Sequence, residues 1–111
     1  MEIFFRTKSL QKIGCDKNKA IKLLGQQCAD KLHKRLNELR AMDCLEDVRY
    51  MSHHRCHELH NDRKGQLSID LKHPLRLIFI PANDPVPCKA DGGLDWSGIT
   101  QIEVIEIADT H

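Results

Sequence analysis

Apolar and polar positions change period along the 111 residues, dividing the chain into a strand, a helical block and a run of strands. Over Met1–Arg6, Ile3 and Phe5 fall on one face and Phe4 on the other, which predicts a first strand. Residues 8–24 form a lysine-rich helical stretch, with Asp16 as a candidate cap inside it and Gly25 as its stop or kink. Leu24, Cys28, Leu32, Leu36 and Leu39 then recur at intervals of four and three. They make one apolar helical stripe, with Lys31, Lys34, Arg35 and Glu38 on the other faces. The helix is expected to end near Asp43, placed to cap a short following turn in a box with Glu46.

After Met51 the period shortens to two. Cys56–Leu59 reads as a short strand, and Asn61-Asp62-Arg63-Lys64-Gly65 is turn chemistry, with Gly65 free to take positive φ. Leu67, Ile69 and Leu71 alternate with Ser68 and Asp70 as a half-buried strand does. His73-Pro74 makes a second turn. Residues 75–80 are nearly all apolar and predict a central strand buried on both faces, with Arg76 the exception. Residues 81–98, with three prolines and three glycines, form a long loop. Ile99–Ile107 is the last strand, with Asp109, Thr110 and His111 protruding from its end. The fold class expected is α+β, helices on one face of a sheet, in one domain over residues 1–111.

Charge sharpens this outline. Residues 1–48 hold ten basic against seven acidic residues, residues 49–76 six against three, and residues 81–111 one against six. Five of the seven histidines (53, 54, 57, 60 and 73) lie in the middle block. The formal charge of +1 therefore averages a chain that is basic and imidazole-rich in the middle and acidic at its end. The acidic block at 84–109 would repel RNA if it lined a site that binds it, so most of it is expected to point away. No apolar run approaches the ~20 residues that cross a bilayer, and Met1–Arg6 lacks the pattern of a secretion signal. Five cysteines at irregular spacing give no disulfide framework. A cytoplasmic protein is expected.

Two groups carry candidate chemistry. His57, His60, Arg63 and Lys64 lie around a hairpin turn. Histidine is the usual general acid or base near neutrality, and arginine offers a permanent charge with two-pronged bonds to phosphate. Asp109 and His111 stand at the end of the last strand. Arg76 needs a partner because a lone charge in an apolar strand costs free energy. Asp70 or Asp109 would satisfy it structurally, and a phosphate would do so functionally. Arg55 and Lys72 add positive charge nearby. The cluster His53-His54-x-Cys56-His57-x-x-His60 invites a metal, but its spacing lacks a second pair at structural-zinc distance, so no metal or other cofactor is expected. Trp96, the one tryptophan, is expected to pack over a core edge.

Several separated motifs together resemble the HigB branch of the RelE/ParE toxin superfamily, the plasmid-maintenance "killer" proteins. They are Arg40-Ala41, Leu45-Glu46-Asp47, Cys56-His57-Glu58-Leu59, the run Asn61-Asp62-Arg63-Lys64-Gly65-Gln66, Ser68-Ile69, Leu75-Arg76-Leu77-Ile78-Phe79 and the Asp109-x-His111 ending. The similarity runs from about residue 28 to the end, outside the loop at 83–98. It implies a RelE-like fold, with the N-terminal strand and helices packed on one face of a curved, mainly antiparallel sheet of four or five strands. It further implies the toxin of a type II toxin–antitoxin pair, a ribosome-dependent endoribonuclease. Such a toxin cuts mRNA without a metal, through attack of the ribose 2′-hydroxyl on the adjacent phosphate. The implied partners are a DNA-binding, HigA-like antitoxin and mRNA on the ribosome, with no membrane. The implied catalytic residues are His57, His60, Arg76, Asp109 and His111; Arg55, Arg63, Lys64 and Lys72 are the expected RNA-binding residues.

This chain departs from the pattern at Thr110, where the branch carries tyrosine, and at Leu67, usually tryptophan. Threonine offers no ring, and base–aromatic stacking is worth about 1–3 kcal/mol per base. The rival readings are a toxin-fold protein that binds without cutting, as the gyrase-poisoning relatives do, and a degenerate protein that only binds antitoxin or RNA. On the nuclease reading, Thr110→Tyr raises mRNA cleavage on programmed ribosomes; unchanged or lower cleavage counts against the assignment of that position.

Overall fold

The computed structural model describes residues 1–51 and 54–110. Strand β1 (Glu2–Phe5) leads into three helices, α1 (Lys8–Cys15), α2 (Lys17–Leu24) and α3 (Gln26–Ala41). Each boundary has a local cause. Asp16 ends α1 and opens α2, its carboxylate accepting from the amides of Asn18 and Lys19 at 3.0 and 3.4 Å. Gly25, at φ 84°, separates α2 from α3 in a conformation that favours glycine. The cap expected at Asp43 with Glu46 lies one residue further on. Cys44 caps a 3-10 turn (Leu45–Tyr50), and the Asp47 carboxylate accepts from the amides of Asp43 and Cys44. Glu46 points instead to Arg49, at 2.8 Å.

Four further strands follow: β2 (His57–Glu58), β3 (Leu67–Asp70), β4 (Leu75–Pro81) and β5 (Gln101–Asp109). The sheet order is β1-β5-β4-β3-β2, with β1 parallel to β5 and every other pair antiparallel. The apolar run at 75–80 thus sits in the middle of the sheet, with Leu77, Ile78 and Phe79 fully buried. The stripe Cys28, Leu32, Leu36 and Leu39 of α3 packs on Leu67, Ile69, Leu77, Phe79, Ile102 and Val104. Trp96 joins that core at its edge, as expected. The architecture is α+β, with the helices packed on one face of a five-stranded, mainly antiparallel sheet.

The last strand begins and ends later than its apolar pattern suggests. Ile99 is buried just ahead of it, and Asp109 is its final residue rather than part of a protruding tail. Between β4 and β5 the register slips: Ile78 faces Glu106, whereas Phe79 faces Val104. Ile105 is the extra residue of a β-bulge, and it reverses the alternation of β5. Ile102 and Val104 point toward the helices, whereas Glu106 and Ala108 share the opposite face with Ile78 and Arg76.

Gly14 lets α1 pack tightly against β1. A Cβ there would stand 2.7 Å from two ring carbons of Phe5. Gly14→Ala is expected to lower stability by about 1–3 kcal/mol, the usual penalty for overpacking, read as a fall in the urea midpoint; an unchanged midpoint would show that the ring swings aside freely.

Candidate functional site

The face of the sheet turned away from α3 gathers the chemistry. Cross-strand partners share a face, so the register sets two rows across it. The first row is His57, Ser68, Ile78 and Glu106, on β2, β3, β4 and β5. The second is Asp70, Arg76 and Ala108, on β3, β4 and β5.

Arg76 is the hub of the second row. Its Nε donates to Asp70 at 3.1 Å and its Nη1 donates to the Thr110 hydroxyl at 3.0 Å, with the side chain only 17 % exposed. The Asp70 partner was one of the structural alternatives offered by the sequence. Thr110 was not foreseen in this role: its hydroxyl accepts from the guanidinium at the end of β5. Asp70 also takes Arg55 at 3.4 Å. A cavity of about 230 Å³ opens here, lined by Arg55, Asp70, His73 and Arg76 among others.

The first row is covered at its centre and open at its ends. Ser68 and Ile78 are fully buried, although they stand outside the core cluster that packs on α3. Arg63, in a 3-10 turn (Asn61–Arg63) after β2, donates from Nη1 to Gln66 and to Glu106, both at 2.9 Å. Because Glu106 stands on β5, this pair bridges the row from the β2 side. Glu106 belongs to the acidic block most of which is expected to point away. The bulge at Ile105 sets it on this face beside Ile78, whereas a strict two-residue alternation would have placed it on the helix side with Ile102 and Val104.

The remaining candidates divide. His57 is exposed on the same face as Arg76, two strands away, roughly 10 Å laterally at normal strand spacing. His60 is exposed where the 3-10 turn begins. Lys64 and Lys72 are exposed in the two turns that flank β3. Asp109 is exposed and pairs with Leu75, one residue out of step with the row of Arg76. His111 lies outside the described residues, as does His53. His54 is fully buried, its Nε2 3.4 Å from Glu38, which Arg35 also meets at 3.0 Å; it stands apart from the exposed imidazoles. Among the described residues, no three His, Cys, Asp or Glu side chains gather as metal ligands would. No helix among them is long and apolar enough to cross a membrane.

The edge of this region holds a thiol in an unusual state. Burial pushes Cys56 up to about 12, against the lowering pull of the Arg49 charge, with Glu58 adding to the rise. Trp96 fixes Glu58 by donating its indole N–H at 3.3 Å.

The fold is similar to that of a YoeB/ParE toxin from Agrobacterium tumefaciens, aligned over 100 % of both chains with a TM-score of 0.53 and 11 % identity. At that identity the likeness is one of fold. No family model and no curated protein sequence matches the chain.

The Cys56 environment gives a direct check. A thiol that stays protonated is a poor nucleophile. Alkylation at about pH 8 should label exposed Cys15 and Cys88 in the folded protein and reach Cys56 only after unfolding, as followed by peptide mass spectrometry. Prompt labelling of Cys56 in the native state would show that it lies open to solvent.

Proposed function

We propose that this chain is the toxin of a type II toxin–antitoxin pair, acting in the cytoplasm as a ribosome-dependent endoribonuclease that cuts mRNA without a metal. The observation that carries this reading is Arg76: a rigidly mounted guanidinium on the central strand, braced by Asp70 and Thr110, beside a cavity that Arg55 and His73 also line. The toxin fold of the Agrobacterium tumefaciens protein supports it at the level of architecture. The whole chain, residues 1–111, acts as one toxin domain, and a DNA-binding, HigA-like antitoxin is its partner.

In this reading Arg76 and Arg55 hold the phosphate whose P–O5′ bond breaks. They oppose the charge that grows on its oxygens as the 2′-hydroxyl adds. His57, His60 and His111 share the proton work, one removing the 2′-hydroxyl proton and another protonating the leaving 5′-oxygen. The products are a 2′,3′-cyclic phosphate and a 5′-hydroxyl. Asp109 orients the terminal histidine, and Arg63, Lys64 and Lys72 hold flanking phosphates. Arg63 must leave Glu106 to do so, which frees a carboxylate on the same face as His57 to accept a proton.

A second reading draws on that pairing. Arg63 and Arg76 each meet a carboxylate already, which suits a toxin-fold protein that binds without cutting. Induction of the protein alone and beside its neighbouring gene separates the two. The nuclease reading expects growth arrest relieved by the neighbour, with cuts mapped in translated messages. Arg76→Ala should lower cleavage by about 10²–10³-fold and His57→Ala by about 10²–10⁴-fold, in protein with unchanged circular dichroism. Arrest with intact messages, or failing supercoiling ahead of translation, favours the binder.

A further inference from the structure

A second hollow, of about 280 Å³, is lined by Val48, Arg49, Met51, Arg55, Cys56 and Trp96. Arg55 lines this hollow and the Arg76 cavity alike, so the two adjoin. Their chemistry differs. The second has an apolar floor, in which Val48 and Trp96 belong to the buried core. Arg49 lays its guanidinium over the indole of Trp96, 4.0 Å from the ring centroid, and Glu46 holds it from the side at 2.8 Å. A guanidinium fixed on one face offers the other to a flat ring. Little ordering remains to be done on binding.

Arg55 stands differently. It meets Asp70 only at 3.4 Å with its side chain 66 % exposed, whereas Arg76 takes the other oxygen of that carboxylate at 3.1 Å. Its backbone has φ 48°, a conformation uncommon for a long side chain. The geometry therefore presents a loosely held cation at the mouth of an apolar hollow walled by a stacked guanidinium.

We propose that this hollow binds the base of a nucleotide, stacked against the Arg49–Trp96 pair, with the attached phosphate on Arg55. The inference rests on the RNA-cutting reading for its ligand class. The nucleotide it receives is the neighbour of the one cut, on the same strand, since Arg55 joins the two cavities. The volume fits a single nucleoside and falls just short of the ~300–1,000 Å³ typical of pockets for larger ligands. Among the described residues that line it none is a carboxylate, and burial keeps the Cys56 thiol neutral at ordinary pH. An acidic peptide would satisfy Arg55 but leave the flat face of Arg49 without a matching group.

Trp96 is the only tryptophan, so indole fluorescence of the full chain reports on the hollow. Adenosine monophosphate should quench it saturably, with a half-point of about 1 mM or below. Adenosine, lacking the charge-assisted contact, should need about tenfold more, and inorganic phosphate should leave the indole unchanged. Arg55→Gly removes the side chain at a φ that glycine adopts freely, so the melting temperature should hold or rise. That variant should weaken adenosine monophosphate about tenfold and leave adenosine unaffected. Arg49→Ala should weaken both alike. An absent or non-saturating response to adenosine monophosphate, an equal response to phosphate alone, or an unaltered Arg55→Gly titration overturns the proposal. Tighter quenching by a glutamate-rich peptide would assign the hollow to an acidic protein instead. Ribosomal mRNA cleavage is scored separately. Nucleotide quenching in a protein that leaves messages whole keeps the pocket and removes the nuclease reading, and cleavage without quenching does the reverse.

Discussion

A guanidinium in the middle of a sheet constrains everything around it. Arg76 lies on β4, flanked by β3 and β5, and it is mostly buried. Removing one partner of a buried ion pair typically costs about 3–5 kcal/mol, because the remaining charge is left unmet. Both neighbouring strands must therefore present the right group at the right height. β3 does so with Asp70 directly opposite, and the end of β5 does so with Thr110. Ala108, the direct partner on β5, is small enough to let the side chain pass. Strand register is thus set twice over, by the apolar face against α3 and by this charge on the other face.

Much of the architecture was legible because its signals are local. The stripe from Cys28 to Leu39, the Asp16 cap, the Gly25 break and the apolar run at 75–80 each depend on residues close in sequence, and each appears in the structure as read, whereas Leu24, read as the start of the stripe, ends α2 instead. The turn at 61–65 was legible too, with Gly65 at φ 90°. The residues of the candidate site could be named from the sequence, but their wiring could not. The placement of Thr110 against Arg76 depends on a pairing between elements 34 residues apart. That of Glu106 depends on a bulge that no period reveals. The shift of the cap from Asp43 to Cys44 shows the usual limit at helix ends, where several polar residues compete for the same amides.

The charge asymmetry of the chain acquires a different meaning once folded. The acidic final segment returns along β5 into the sheet, where Glu103 meets Arg6 at 3.3 Å and Glu106 meets Arg63 at 2.9 Å. Blocks that are segregated in sequence are interleaved in space. A polyanion approaching this face competes with resident carboxylates rather than finding bare cations. Such exchange is sensitive to ionic strength, because these pairs are partly exposed.

The extra residue at Ile105 decides which way the end of the chain faces. With it, Glu106 and Thr110 reach Arg63 and Arg76. Were β5 shortened by that single residue, its terminal half would turn over like a ribbon given a half twist. Both arginines would lose a contact, while the sequence around them stayed intact. Drift in this family of shapes can therefore silence or create a site by a one-codon insertion or deletion in a strand, leaving every chemically active side chain untouched.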